Sequence, residues 1–145
     1  MKTQKFLLAL VLVAGLTACS SENVSHEADN LPAKASQLIS RNFTAGVSLV
    51  KTEKDLGRVS EYEVTLTDGS TIEFNSSGEW KSIDTPNNLA VPAGVVPTNI
   101  STFVREKQAG TNIVGIEKEK HGYEVQLSNG VEMKFDLSGN FMQYD

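Results

Sequence analysis

Apolar and polar positions alternate in the same order twice along this chain. Residues 62–84 read YEVTLTDGSTIEFNSSGEWKSID and residues 123–145 read YEVQLSNGVEMKFDLSGNFMQYD, aligned without a gap at an offset of 61. Tyr62/Tyr123, Val64/Val125, Leu66/Leu127 and Phe74/Phe135 keep the apolar phase, and Glu63/Glu124, Gly69/Gly130, Gly78/Gly139 and Asp84/Asp145 are also identical. Period-two alternation broken at glycines predicts β-hairpins. Repetition at this spacing predicts one supersecondary unit built twice.

Ahead of each cassette the apolar spacing becomes helical. Leu31, Ala35, Leu38 and Ile39 fall at i, i+4, i+7 and i+8, and Val96, Ile100, Phe103 and Val104 repeat the pattern. Each segment has proline near its start (Pro32, Pro97) and Ala-Gly near its end (Ala45-Gly46, Ala109-Gly110), as expected of a helix. A β-rich run follows each, VSLVKTE and NIVGIEKE. The expected class is α+β: two tandem units, each a helix plus a four-stranded antiparallel sheet, with the helices on one face and the other face open. The units span 31–84 and 96–145, joined by a Pro/Gly/Asn-bearing linker at 85–95.

The turns decide the register. A two-residue loop at Asp68-Gly69 would put the apolar residues of its strands on opposite faces. A three-residue loop, Thr67-Asp68-Gly69, pairs Val64 with Ile72 and Tyr62 with Phe74 on one face. A slip by one residue flips every side chain, so the apolar pattern selects the three-residue loop. The same reading pairs Val125 with Met133, Phe74 with Trp80 and Phe135 with Phe141. The inner face then carries Tyr62, Val64, Leu66, Ile72, Phe74 and Trp80 with their counterparts, and Trp80 and Phe141 become equivalent core anchors. The outer face carries Glu63, Thr65, Thr71, Glu73, Lys81 and Ile83, then Glu124, Gln126, Glu132, Lys134, Met142 and Tyr144. Ile83, Met142 and Tyr144 stay outward unless the terminal strands bulge and tuck them in.

The N-terminus changes the picture. Lys2 and Lys5 precede an apolar stretch, Phe6 to Ala18, too short for a permanent membrane span. It ends in Leu16-Thr17-Ala18-Cys19, the pattern of a bacterial lipobox. Residues 1–18 are therefore read as a lipoprotein signal peptide and Cys19 as the lipidation site. Cys19 is the single cysteine, so it has no disulfide partner within the chain. Acyl chains there would give stable anchoring. Residues 19–30, polar and aperiodic after the cysteine, read as a flexible tether. Ser20 in place of aspartate points to the outer membrane, facing the periplasm or the cell surface. The whole chain carries a net charge of −5, and loss of Lys2 and Lys5 leaves 11 basic against 18 acidic side chains, a net −7. Such a domain has no electrostatic reason to bind nucleic acid or anionic lipid, so the membrane is expected as a partner through the anchor alone.

Catalytic chemistry is thin. His26 lies in the tether and His121 beside Gly122 in a tight connection. No Cys/His spacing suits zinc, no serine sits in a nucleophile elbow, and no loop gathers oxygens for calcium. No enzyme activity, metal or cofactor is expected. One anomaly stands on the outer face: Glu63 lies opposite Glu73, with Lys81 next across, whereas Glu124 lies opposite Lys134. Opposed like charges are unfavourable, and they suit a basic or amine-bearing partner or simply a solvated, compensated surface.

At these residues a resemblance is apparent. Leu31-Pro32, Ala35 and Ile39, followed by YEVxLxDGxxIEFxxxGEW, resemble the PepSY-like, beta-lactamase-inhibitor-like family of periplasmic proteins common in Bacteroidetes. The resemblance covers nearly the whole mature chain and implies a helix packed on an antiparallel sheet in each unit. Beta-lactamase-inhibitor proteins grip their target with the open sheet face. The motif consists of turn glycines and core aromatics, so it implies fold, not target. The second copy departs from it, with Phe141 for Trp80 and a shorter connection (Lys120 to Gly122 against Lys54 to Glu61). The expected function is a lipid-anchored extracytoplasmic binding or inhibitor-like module acting on a protein or peptide. Its expected contacts are Glu63, Glu73, Lys81, Ile83, Glu124, Lys134, Met142 and Tyr144. The alternative is a structural or envelope-stress lipoprotein without a discrete ligand site.

Overall fold

A computed structural model describes residues 23–25, 30–86 and 89–145. Cys19, His26, most of the tether and linker positions 87–88 lie outside these residues. The described chain is α+β. A short strand β1 (Asn23–Ser25) precedes helix α1 (Ala33–Asn42). Four strands follow: β2 (Val47–Asp55), β3 (Arg58–Leu66), β4 (Thr71–Asn75) and β5 (Trp80–Asp84). Helix α2 (Thr98–Lys107) leads to β6 (Ile113–Glu119), β7 (Gly122–Leu127), β8 (Glu132–Asp136) and β9 (Phe141–Tyr144). All nine strands form one antiparallel sheet in sequence order, because β5 pairs with β6.

Both helices begin after a proline, Pro32 and Pro97, whose missing N–H costs a first turn nothing. They end at Asn42 and Lys107, short of the Ala-Gly pairs. Gly110 takes positive φ and Gly46 does not, so only the second exit uses a left-handed glycine.

The hairpins close as the apolar phase requires. The Leu66 N–H bonds the Ser70 carbonyl across the loop 67–69, and the Leu127 N–H bonds the Val131 carbonyl across 128–130. Gly69 and Gly130 hold φ of 89° and 84°. Val64 therefore faces Ile72, and Val125 faces Met133. Directly opposed residues share a face, so one apolar row crosses eight strands: Val50, Val64, Ile72, Ile83, Ile116, Val125 and Met133, ending at Tyr144. Its first seven members are all fully buried. They cluster with Ala35 and Ile39 of α1 and Ile100 and Val104 of α2. On α2, Phe103 stacks on Phe141 at 4.5 Å and meets the Phe135 ring edge-on at 5.6 Å. The linker also contributes to this core through buried Val91 and Val95, and the Val91 N–H bonds the Ile113 carbonyl.

Several expectations change. Within the presumed tether, Asn23–Ser25 pairs with Val50–Thr52 as an edge strand. The longer connection 54–61 is not a loop but an extended hairpin, β2 running to Asp55 and β3 starting at Arg58. Trp80 and Phe141 lie opposite Phe74 and Phe135 as expected, yet both are only half-buried, and Phe74 and Phe135 are the large buried anchors. Lys118 Nζ lies 4.0 Å from the Trp80 ring centre, with Tyr123 beside it at 6.5 Å. Burial pushes the Lys118 ammonium pKa down.

The polar face of the sheet

Beyond the β4–β5 and β8–β9 loops, each ladder shifts by one residue. Phe74 pairs with Trp80, but Glu73 pairs with Ser82 and Ile72 with Ile83. Phe135 pairs with Phe141, but Lys134 pairs with Gln143 and Met133 with Tyr144. Lys81 and Met142 are the extra residues of two β-bulges, which reverse the facing of everything after them. Ile83 is therefore in the core and not on the outer face. Tyr144 is likewise on the helix side, 4.9 Å from the Phe141 ring, with its hydroxyl 3.5 Å from Gln108 Nε2. Lys81 does not lie opposite Glu73. Its ammonium reaches Glu61 at 2.7 Å. Met142 keeps its exposure at the bulge.

What remains outside is polar. Successive partners form one row: Lys51, Glu63, Glu73, Ser82, Glu117, Glu124, Lys134 and Gln143. Beside it runs Leu49, Thr65, Thr71, Asp84, Gly115, Gln126 and Glu132. Glu63 does face Glu73, as the register predicts. Lys51, 3.4 Å from Glu63 on the other side, partly balances the pair.

The acidic character concentrates where the two halves meet. Asp84 lies between Thr71 on β4 and Gly115 on β6. Burial pushes its carboxyl pKa up to about 7, and the neighbouring Glu73 and Glu117 push the same way. Glu73 is raised by burial and by Glu61, with a Ser82 hydrogen bond and Lys81 opposing. Glu117 is raised by partial desolvation and by Glu119, although its side chain reaches solvent. In the second half Glu124 is buried and raised, with Lys134 opposing the shift. Lys134 Nζ sits 3.6 Å from both Glu124 Oε2 and Asp145 Oδ2. Glu124, Glu132 and Asp145 each offer an oxygen within 4.8 Å of the others, and two of the three, Glu124 and Asp145, already pair with the Lys134 ammonium.

Register brings Glu63, Glu73, Glu124 and Lys134 together on this face, with Lys81 above Glu61. Ile83 and Tyr144 do not belong to it. Sequence reasoning missed Lys51, which the β2–β3 ladder sets opposite Glu63, Ser82 and Asp84, which the Lys81 bulge turns to this face, and Glu117, which the β5–β6 pairing brings in across the linker. The identity of Asp84 and Asp145 in the two cassettes was the one available signal. A cavity of about 310 Å³ lies between α2 and the linker, lined by Val91, Val104, Arg105 and Ile113 among others. Another of about 430 Å³ lies beside Asn30, Thr52 and Tyr62. Neither is lined by a residue of the polar row. His121 is an exposed turn residue between β6 and β7.

Two helices and one antiparallel sheet define an α+β domain among the described residues. The chain belongs to the PepSY-like family. The family model described as "Putative beta-lactamase-inhibitor-like, PepSY-like" matches residues 60–143. Among solved structures it is similar to a "putative periplasmic protein of unknown function" from Bacteroides vulgatus, at 37% identity and TM-score 0.79, covering 86% of this chain and 99% of that one. It is also similar to a "putative calcium-regulated periplasmic protein" from Bacteroides thetaiotaomicron, at 33% identity and TM-score 0.77, covering 86% and 96%. A second "putative periplasmic protein" from Bacteroides vulgatus is 34% identical, with TM-score 0.76 and coverage of 86% and 96%. No protein of curated function shows significant similarity to the chain. Among the described residues no helix is long and apolar enough to cross a membrane, which leaves strand-built spans untouched.

Proposed function

We propose that this protein is a non-enzymatic binding module of the cell envelope, built from two copies of one helix-and-sheet unit and anchored by lipid on Cys19. Its polar sheet face receives a basic protein or peptide. The observation that carries this reading is the continuous row from Glu63 through Glu73, Ser82 and Glu117 to Glu124. It crosses the junction of the two halves, and beside its centre, in the neighbouring row, stands a carboxyl, Asp84, with a pKa raised to about 7. A cationic side chain placed there would relieve the repulsion among Glu73, Asp84 and Glu117. Such a field also speeds encounter with basic partners. The periplasmic descriptions of the solved relatives support the envelope location.

The anchor has a direct test. Cys19→Ser should move the protein from the detergent phase to the aqueous phase, and unchanged partitioning removes the lipoprotein reading. For the face, a partner captured from envelope extracts is challenged with photo-crosslinkers at Ser82 and Thr71, and at Lys34 and Glu106 on the helices. Crosslinks should concentrate at 82 and 71. Glu63→Gln combined with Glu73→Gln and Glu117→Gln should weaken binding at least about tenfold, mainly by slower association, with reduced salt sensitivity. Crosslinks confined to the helices, or unchanged affinity, would replace this reading with a structural lipoprotein role.

The calcium in one relative's description does not transfer readily. Within the convergence of Glu124, Glu132 and Asp145, Glu124 and Asp145 already pair with the Lys134 ammonium, which opposes a second cation.

A further inference from the structure

The β2–β3 hairpin ends in a turn that its sequence should disfavour. Asp55 pairs with Arg58 and the two-residue loop is Leu56-Gly57, with φ of 48° and 78°. Positive φ at both positions is the type I′ pattern, which asparagine and glycine fill without strain. Leu56 is the one non-glycine residue at positive φ among the described residues. Its side chain is also 90% exposed, so the strained position buries nothing within the chain. Lys54 and Arg58 lie two positions to either side of it, with Asp55 between Lys54 and Leu56 and paired with Arg58 across the turn. The corresponding turn of the second half is Lys120-His121, fully polar. An apolar residue at this turn is thus a feature of the first half, and the second half carries its exposed tip leucine, Leu137, on the β8–β9 turn instead.

Strand β1 points at this tip. Asn23 pairs with Thr52 and Ser25 with Val50, so the chain traced back toward its N-terminus advances along β2 toward Asp55. Four residue steps separate Asn23 from Cys19, a reach of at most ~14 Å. Four steps also separate Thr52 from Leu56, roughly 13 Å along a strand. An extended run would therefore be long enough to bring a lipid on Cys19 level with the hairpin tip.

We propose that the Lys54–Arg58 tip is a membrane contact, with Leu56 set into the acyl–headgroup boundary and Lys54 and Arg58 directed at lipid phosphates. This rests on the lipid-anchor reading of Cys19. One leucine binds a bilayer weakly alone, but the anchor holds it at the surface, so its contribution sets orientation and not attachment. Strands β2 and β3 then stand on the membrane by their shared tip. The polar sheet face is turned sideways, open to a partner in the envelope.

The test uses the acylated full chain on vesicles of phosphatidylethanolamine and phosphatidylglycerol. With Cys19 acylated, a cysteine introduced elsewhere is the single free thiol and takes an environment-sensitive nitrobenzoxadiazole label. Asp55→Cys is compared with His121→Cys and Leu137→Cys. Leu137 is a second exposed tip leucine, six strand steps away, roughly 29 Å. The label at 55 should shift to the blue and be quenched by shallow spin-labelled lipid several-fold more than those at 121 and 137. Adding Leu56→Asn should abolish the difference while vesicle binding persists. Bound protein with equal quenching at all three sites overturns the membrane contact and leaves the anchor reading intact. Failure of the acylated chain to bind vesicles overturns both.

Discussion

Ile83 and Ile72 face each other across β4 and β5, and neither has any solvent exposure. The contact exists because Lys81 is an extra residue in the ladder. Without that bulge, Ile83 would stand on the polar face beside Glu73. Tyr144 and Met133 repeat the relationship at the edge of the sheet, where one neighbouring strand fewer leaves Tyr144 half exposed.

Ile83→Ala should therefore cost about 2–5 kcal/mol, the range for a large aliphatic truncated in a core. Met142→Ala, at the second bulge, should stay within about 0.5 kcal/mol of wild type. Urea denaturation of both variants checks the pair. Equal effects would mean that the bulge is misplaced.

Phe74 and Trp80 are ring neighbours on opposite strands with different exposure. Phe74→Ala should cost about 3–5 kcal/mol, and Trp80→Ala about half of that, because only part of the indole leaves water on folding. Trp80 is the single tryptophan, so its emission reports its own setting. It should be accessible to iodide in the folded protein, and Lys118→Ala should shift its maximum by removing the ammonium over the ring.

The apolar phase made much of this legible. Loop lengths at Gly69, Gly78, Gly130 and Gly139 followed from requiring Val64, Ile72 and Phe74 to share a face, and the ladder has that register. The sequence leaves the bulged and unbulged readings of the terminal strands open, because an extra residue leaves no mark in a strand of four or five. Lys81 is as polar as its neighbours would be in either register, and Ile83 fits either account until its partner is known. The β5–β6 pairing escaped for another reason. It joins Ile83 to Ile116 across a helix and a linker, and no local pattern encodes that contact. The candidate face therefore arrived half-formed: Glu63, Glu73, Glu124 and Lys134 were legible, while Asp84, Ser82 and Glu117 needed the assembled sheet.

Asp84 gives the fold a pH dependence of defined sign. Its carboxyl pKa is raised from 3.8 to about 7 by burial first and by Glu73 and Glu117 after it. The folded state thus holds a proton that the unfolded chain releases at lower pH. The associated stability is fully present below pH 3.8 and is lost as pH rises through about 7. Raised Glu73 and Glu117 act in the same direction. Asp84→Asn should stabilise the protein at pH 8 by on the order of 1 kcal/mol or more, and much less at pH 5. A stability gain equal at both pH values would show that Asp84 is ionised throughout.

Gly122 pairs with Asp136 where β7 begins, and a Cβ there would collide with the Phe135 carbonyl oxygen. That oxygen is backbone in the sheet interior and cannot swing away. Gly122→Ala should cost about 2–4 kcal/mol, more than a typical surface substitution. Gly57→Ala meets no neighbour and is penalised through its φ of 78° alone, so it should cost about 1–2 kcal/mol. Thermal unfolding of the two variants separates close approach from backbone conformation.

Lys134 decides how the acidic group in the second half responds to cations. Its ammonium lies 3.6 Å from both Glu124 and Asp145, and their carboxylates push its pKa up. Glu124 is buried, so removing that ammonium leaves a buried carboxyl without its counter-charge. Lys134→Gln should destabilise the fold by about 1–3 kcal/mol at pH 7. It should also free Glu124, Glu132 and Asp145 to accept a divalent ion. Millimolar calcium should then raise the melting temperature of Lys134→Gln in a saturable way, as a ligand binding only the native state does, while moving wild type by less than about 1 °C. Saturable stabilisation of the wild-type chain by calcium would show that Lys134 yields its place to the ion, and the internal ion-pair reading of this cluster would fail.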